Sequence, residues 1–163
     1  MPEDVRDIRR ERLLVEARRA AEQAYAPYSR FRVGAAVMVE TETGPRIVTG
    51  ANVENASYGL ALCAERSALA AACALGDARR PDVAEGRVSA PPVITHVAID
   101  CVDAPDDAPI NERMPCGACR QWFAELAPEA IFYVAGVADD LTLDDLLPRA
   151  FRLGPHAPEE RDE

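Results

Sequence analysis

The stretch FRVGAAVMVETETGPRIVTGANV, residues 31–53, decides the fold. Residues 31–40 are mostly apolar and β-rich, TETGP (41–45) is turn chemistry, and RIVTGANV (46–53) reads as a returning strand. The stretch therefore predicts a β-hairpin with a longer loop. Beyond residue 53 the pattern changes from hairpin to alternating helices and strands. LCAERSALAAACALG (62–76) is rich in Ala and Leu and stops at Gly76, as a buried helix would. VITHVAID (93–100) is a buried strand, CGACRQWFAELA (116–127) a helix stopped by Pro128, and AIFYVAG (130–136) another buried strand. A hairpin followed by strand–helix–strand units predicts an α/β fold: a three-layer sandwich, a mixed central sheet with helices on both faces.

Outward from this core, residues 4–25 carry apolar positions at Leu14, Ala17, Ala21 and Tyr25, the spacing of an amphipathic helix ended by Pro27. LTLDDLLPRAF (141–151) predicts a short terminal helix with Thr142 as its N-cap. Residues 77–92 and 101–114 have the proline and charge content of surface loops. The whole of 1–163 reads as one domain, with 153–163 expected to form a flexible acidic tail.

With 163 residues, 48% of them apolar, the chain can bury a core without staples. No apolar run approaches the ~20 residues that span a bilayer. The N-terminal MPEDVRDIRRERLL lacks the apolar centre of a secretory signal, so a cytoplasmic protein with no membrane partner is expected. The net charge of −10 argues against nucleic acid, whose phosphates are gripped by Lys and Arg, and favours a neutral or cationic small substrate.

Five cysteines, at 63, 73, 101, 116 and 119, argue against a disulfide framework and for metal ligation, catalysis or burial. Cys116 and Cys119 alone fit either a dithiol redox pair or half of a metal site. Cys63 is the natural third ligand, since it also opens a predicted helix. Cys73 lies about three turns further along that helix, and Cys101 and His96 sit in or beside a buried strand, so all three read as core. Three ligands with an open fourth position is the arrangement of a catalytic zinc. Glu65, two residues after Cys63, stands where a general base for an activated water is needed.

Zinc deaminases share the signature H-x-E…P-C-x-x-C, with Cys allowed for His. Here it reads Cys63-Ala64-Glu65…Pro115-Cys116-Gly117-Ala118-Cys119. With YSRFRVGAAV (28–37), GANVENASYGLALCAERSA (50–68), PCGACRQ (115–121) and LLPRAF (146–151) in the same order, the chain resembles zinc-dependent cytidine deaminases of the short, homotetrameric kind over nearly its whole length. The resemblance implies one Zn²⁺ per subunit on Cys63, Cys116 and Cys119, with Arg66 hydrogen-bonding the cysteine sulfurs. It implies that Glu65 shuttles protons while cytidine or 2'-deoxycytidine is hydrolysed to the uridine nucleoside and ammonia, in pyrimidine salvage. It assigns Asn52 and Glu54 to the ribose hydroxyls, Phe31 to the base or sugar, and the Ala56 backbone to the base. Tyr58 and Phe151 are implied to reach a neighbouring subunit's site.

The spacing of the metal motifs departs from the family pattern. Cys63 and Cys116 are 53 positions apart, longer than that pattern, and Met114 stands where the family often has Ser. The loop 103–113 is therefore expected to shape the pocket entrance, or else to be a tolerated surface insertion. A deaminase of a modified cytosine nucleoside, such as a blasticidin-type antibiotic, is the alternative substrate reading.

Overall fold

The computed structural model describes residues 3–76, 78–79 and 91–152. The expected tail at 153–163, His156 and most of the loop 77–92 lie outside the described residues.

The elements run α1 (Glu3–Ala21), β1 (Val33–Thr41), β2 (Gly44–Ala51), α2 (Ala64–Cys73), β3 (Ile94–Cys101), α3 (Gly117–Leu126), β4 (Ile131–Val134) and α4 (Leu143–Leu146), the predicted order. Single 3₁₀ turns occupy Tyr58–Leu60 and Ile110–Glu112. The sheet order is β2-β1-β3-β4. β1 pairs antiparallel with β2, from Gly34 opposite Ala51 to Thr41 opposite Gly44, and antiparallel with β3 on its other edge. β3 and β4 run parallel, His96 opposite Ile131. The sheet is mixed because β1, joined to β2 by a hairpin, runs antiparallel to both its neighbours, while the helical connections through α2 and α3 leave β2, β3 and β4 running the same way.

Strand alternation sends side chains to two separate cores. Ala35, Val37 and Val39 of β1, Val97 and Ile99 of β3, and Phe132 and Val134 of β4 meet Ala68, Leu69 and Ala72 of α2 and Phe123 of α3. On the opposite face Ala36, Ala98 and Tyr133 meet Leu13 and Ala17 of α1. Helices therefore cover both faces, giving the three layers.

Two glycines let the layers close. A Cβ at Gly34 would lie 1.9 Å from the Ala17 carbonyl oxygen of α1, and one at Gly50 would lie 2.3 Å from the Ala68 nitrogen of α2. The backbones of helix and strand touch at these points, which only glycine permits.

α1 ends at Ala21, four residues before Tyr25. The backbone N–H of Tyr25 donates to the Asn52 carbonyl and the Tyr25 carbonyl accepts from Glu54, so the chain leaves the helix to pair with the segment after β2. Tyr25 is exposed rather than core, and the buried stripe of α1 is Leu13, Ala17 and Ala21, with Leu14 at its margin. β1 starts two residues after Phe31, and the terminal helix is one turn, because Pro148 disfavours helical geometry at Leu147. Its start is as expected: the Thr142 hydroxyl accepts from the Asp145 N–H, and the Asp145 carboxylate accepts in return from the Thr142 N–H.

His96 is half-buried, stacked on Tyr133, with Nε2 3.1 Å from Arg9 Nη1 and Nδ1 2.9 Å from the Thr95 hydroxyl. Burial, helped by Arg9, pushes its pKa down to about 4. Cys101 is buried, its thiol pushed up to about 12 by burial, and it takes no part in the cysteine cluster.

Candidate active site

The ends of three strands and the starts of two helices converge at one end of the sheet. Cys63 is the N-cap of α2 and Cys116 the N-cap of α3, both in extended backbone. Cys119 lies in the first turn of α3 and is fully buried. The three sulfurs lie within 4.8 Å of one another, Cys63 to Cys116 at 3.9 Å and Cys116 to Cys119 at 3.5 Å. A tetrahedral zinc with bonds of about 2.3 Å holds its sulfurs about 3.8 Å apart, so this donor set fits zinc in chemistry and in spacing.

Charge favours thiolate here. Both helix N-termini present their positive ends to the sulfurs. The Cys63 thiol is lowered to about 5, chiefly by the hydrogen bond it receives from Cys119, with further help from Arg66 against the opposing effect of burial. Cys119, which donates that bond, is correspondingly raised. Arg66 donates from Nη2 to the Cys63 sulfur at 3.8 Å and to the Ala61 carbonyl at 3.0 Å.

Glu65 projects from the buried face of α2 and is 4% exposed. Burial raises its pKa, and the neighbouring Cys63 charge adds to the rise. A buried carboxyl with its proton affinity raised, beside a cluster of candidate metal ligands, can both take up and return a proton.

Phe31, Asn52 and Glu54 come together around the segment 28–33. Asn52 accepts from the Val33 N–H at its Oδ1 (2.8 Å) and donates from Nδ2 to the Phe31 carbonyl (2.9 Å). Glu54 Oε2 accepts from the backbone N–H groups of Tyr28 (2.8 Å) and Ser29 (3.2 Å), and these bonds with the Ser29 side chain hold its carboxyl below its ordinary value. Both side chains thus brace the chain around Phe31, each with further hydrogen-bonding capacity to spare. Ala56 and Tyr58 lie on the exposed segment leading to α2, Tyr58 at 80% exposure. Phe151 is 68% exposed, its carbonyl accepting from Gln121 Nε2 at 2.8 Å.

Sequence reasoning missed three supports. Arg120 donates to the carbonyls of Pro115 and Leu146, both at 2.7 Å, tying the approach to Cys116 to α4. Gln121 anchors Phe151. Asp103 receives Arg32 in a two-pronged ion pair. Arg120 and Gln121 fall inside PCGACRQ, Arg32 inside YSRFRVGAAV and Asp103 at the start of the loop 103–113, but none of these positions announces its partner in the sequence.

The chain is also similar to known proteins. The zinc-binding region of the cytidine and deoxycytidylate deaminases matches residues 8–135. The chain belongs to this family. A cytidine deaminase of Halalkalibacterium halodurans is 43% identical over 146 residues, covering 87% of this chain and 93% of the relative. One of Mycobacterium tuberculosis is 42% identical, covering 84% and 85%. The crystal structure of the Burkholderia pseudomallei cytidine deaminase superposes with a TM-score of 0.67 at 39% identity, over 86% of this chain and 98% of that one. Family membership makes the chain a zinc-dependent hydrolase of C–N bonds and the sandwich its family fold. Among the described residues no helix is long and apolar enough to cross a membrane.

Proposed function

We propose that this chain hydrolyses cytidine and 2'-deoxycytidine to the corresponding uridine nucleosides and ammonia. One observation carries the reading: three convergent cysteine sulfurs with a buried Glu65 two residues after the first. Cys63, Cys116 and Cys119 hold the zinc. Bound there, the metal supplies a Lewis acid able to lower the pKa of a water from 15.7 toward about 7.

With the metal in place, Glu65 would accept a proton from the attacking water and deliver it to N3 of the pyrimidine as the water's oxygen adds at C4. It would then take the remaining proton of the C4 hydroxyl and pass it to the exocyclic nitrogen, so that the C4=O bond forms as the C4–N bond breaks and ammonia leaves. Arg66 and the two helix N-termini offset the excess negative charge of three thiolates, which would otherwise oppose activation of the water. Asn52 and Glu54 meet the ribose hydroxyls with the donors and acceptors left over from bracing residues 28–33, Phe31 packs on the base or sugar, and the Ala56 backbone meets the base.

The working unit is a homotetramer with shared sites. Its support is the exposure of Tyr58, Leu60 and Phe151, apolar groups that a lone subunit leaves in water. The place of action is the cytoplasm and the role pyrimidine salvage, with no nucleic acid or membrane partner. The antibiotic-type alternative draws no support from the cytidine deaminase relatives.

The test is loss of the cytidine ultraviolet absorbance on mixing with zinc-loaded protein, run beside 2'-deoxycytidine, cytosine and blasticidin S. Turnover of the two nucleosides is expected. Turnover of blasticidin S alone would replace this substrate assignment with the alternative.

A further inference from the structure

Side chains hold most of the backbone N–H groups of the segment 28–33. Glu54 takes those of Tyr28 and Ser29, the Ser29 hydroxyl takes that of Phe31 at 3.0 Å, and Asn52 takes the Val33 N–H while donating to the Phe31 carbonyl. The N–H of Arg32 goes to Asp103 Oδ2 at 2.8 Å. The same carboxylate receives Arg32 Nε at 2.9 Å and Nη2 at 2.6 Å. Asp103 therefore does for the middle of this segment what Glu54 does for its start, but from the other side, at the first turn of the long connection from β3 to Cys116. That connection is closed on itself: Arg113 donates to the Pro105 carbonyl, and the Cys101 thiol lies 3.8 Å from the Arg113 carbonyl.

We propose that Asp103 is a positioning residue for nucleoside binding: through Arg32 it locks residues 31–33, and so fixes Phe31 and the amide of Asn52 in the arrangement that meets the substrate. The inference rests on the proposed function for its substrate, not for its geometry. Isolated surface ion pairs contribute little, but a two-pronged Arg–carboxylate pair that also takes a backbone N–H fixes direction as well as distance. Because the hydrogen bonds of Asp103 go to Arg32 and not to the cysteines or Glu65, its loss should weaken binding rather than chemistry.

The experiment compares zinc-loaded wild type with Asp103→Ala, Arg32→Ala and the double variant, with Asp103→Asn as a milder change should Asp103→Ala fail to fold. Removing an orienting contact made equally in ground and transition states raises KM and spares kcat, so a KM increase of roughly tenfold with kcat within about twofold is expected. The double variant should be no worse than either single one, since the two side chains act as a unit. A merely structural role would lower the melting temperature and leave KM alone. Amide hydrogen exchange provides a readout independent of substrate: exchange at residues 31–33 should accelerate in Asp103→Ala and Asp103→Asn while that of α2 does not. Unchanged exchange there, or an unchanged KM, overturns the proposal. Wild type that fails to turn over cytidine would count against the proposed function, and the exchange comparison would still decide the latch.

Discussion

Glu65 stands on the buried face of α2, a place where helices normally carry apolar side chains, and burial raises its pKa against the opposing pull of Arg66. Replacing it by Gln keeps the size and the packing but removes the proton carrier. Glu65→Gln should retain zinc at wild-type stoichiometry and lose about 10²–10⁴-fold in kcat; metal analysis beside steady-state rates checks both halves. Arg66→Gln should instead loosen zinc by about 10–100-fold, because it removes a donor to a ligand rather than a ligand, as chelator competition would read. His96 offers a pH test apart from the site. Its pKa is about 4 in the folded chain and about 6.5 when unfolded. Below about 6.5 the unfolded state binds the extra proton, so stability falls as pH drops, and the loss is complete once pH passes below about 4. His96→Gln should flatten that part of the curve of urea midpoint against pH, leaving only what other groups contribute. The three clustered cysteines and the buried Glu65 were legible in the sequence because their spacing is chemistry written locally. Asp103 was not, because its meaning is a pairing with Arg32 across 71 positions, which neither the block around Arg32 nor the loop around Asp103 contains.

Elements place these residues by where they begin. Both Cys63 and Cys116 are helix N-caps, so the metal cluster depends on α2 and α3 starting at the same end of the sheet. Gly50 sets the depth of α2. A methyl group there would meet the Ala68 nitrogen at 2.3 Å and the Ala64 carbonyl at 2.7 Å, and backbone cannot yield as a side-chain tip can. Gly50→Ala should cost on the order of 1–3 kcal/mol in urea denaturation and weaken zinc retention by displacing the helix that carries Cys63. Gly59→Ala, where nothing lies within 4 Å of the added carbon, is the matched control and should do neither. Periodicity made the element order and the sheet's mixed character readable, since apolar runs and turn residues alternate clearly from residue 31 onward. It misplaced ends. Tyr25 continues the apolar spacing of α1, yet its backbone is claimed by Asn52 and Glu54, a long-range demand that local spacing does not contain. The terminal helix was overrun for a simpler reason, the conformational restriction that Pro148 places on Leu147.

At the scale of the whole molecule, several large apolar side chains around the site lie exposed on the single subunit. Tyr58 is 80% exposed, Leu60 72%, and Phe151 68%, with Trp122 beside Gln121, Leu126 and Phe151 around a cavity of about 390 Å³. A homotetramer that buries these groups explains them, and sedimentation of the zinc-loaded chain should give four times the monomer mass. Tyr58→Ser or Phe151→Ser should shift that equilibrium toward smaller species and lower activity in parallel, whereas a stable and fully active monomer would exclude shared sites. The central claim, however, is that a three-cysteine zinc and Glu65 together deaminate a cytosine nucleoside. Uridine formed from cytidine, measured in parallel for zinc-loaded wild type and Glu65→Gln, tests it most directly. Conversion by wild type, and a rate about 10²–10⁴-fold lower in a variant that still holds its zinc, is the result predicted. Equal rates in the two proteins, or no conversion by folded, zinc-loaded wild type, would contradict it.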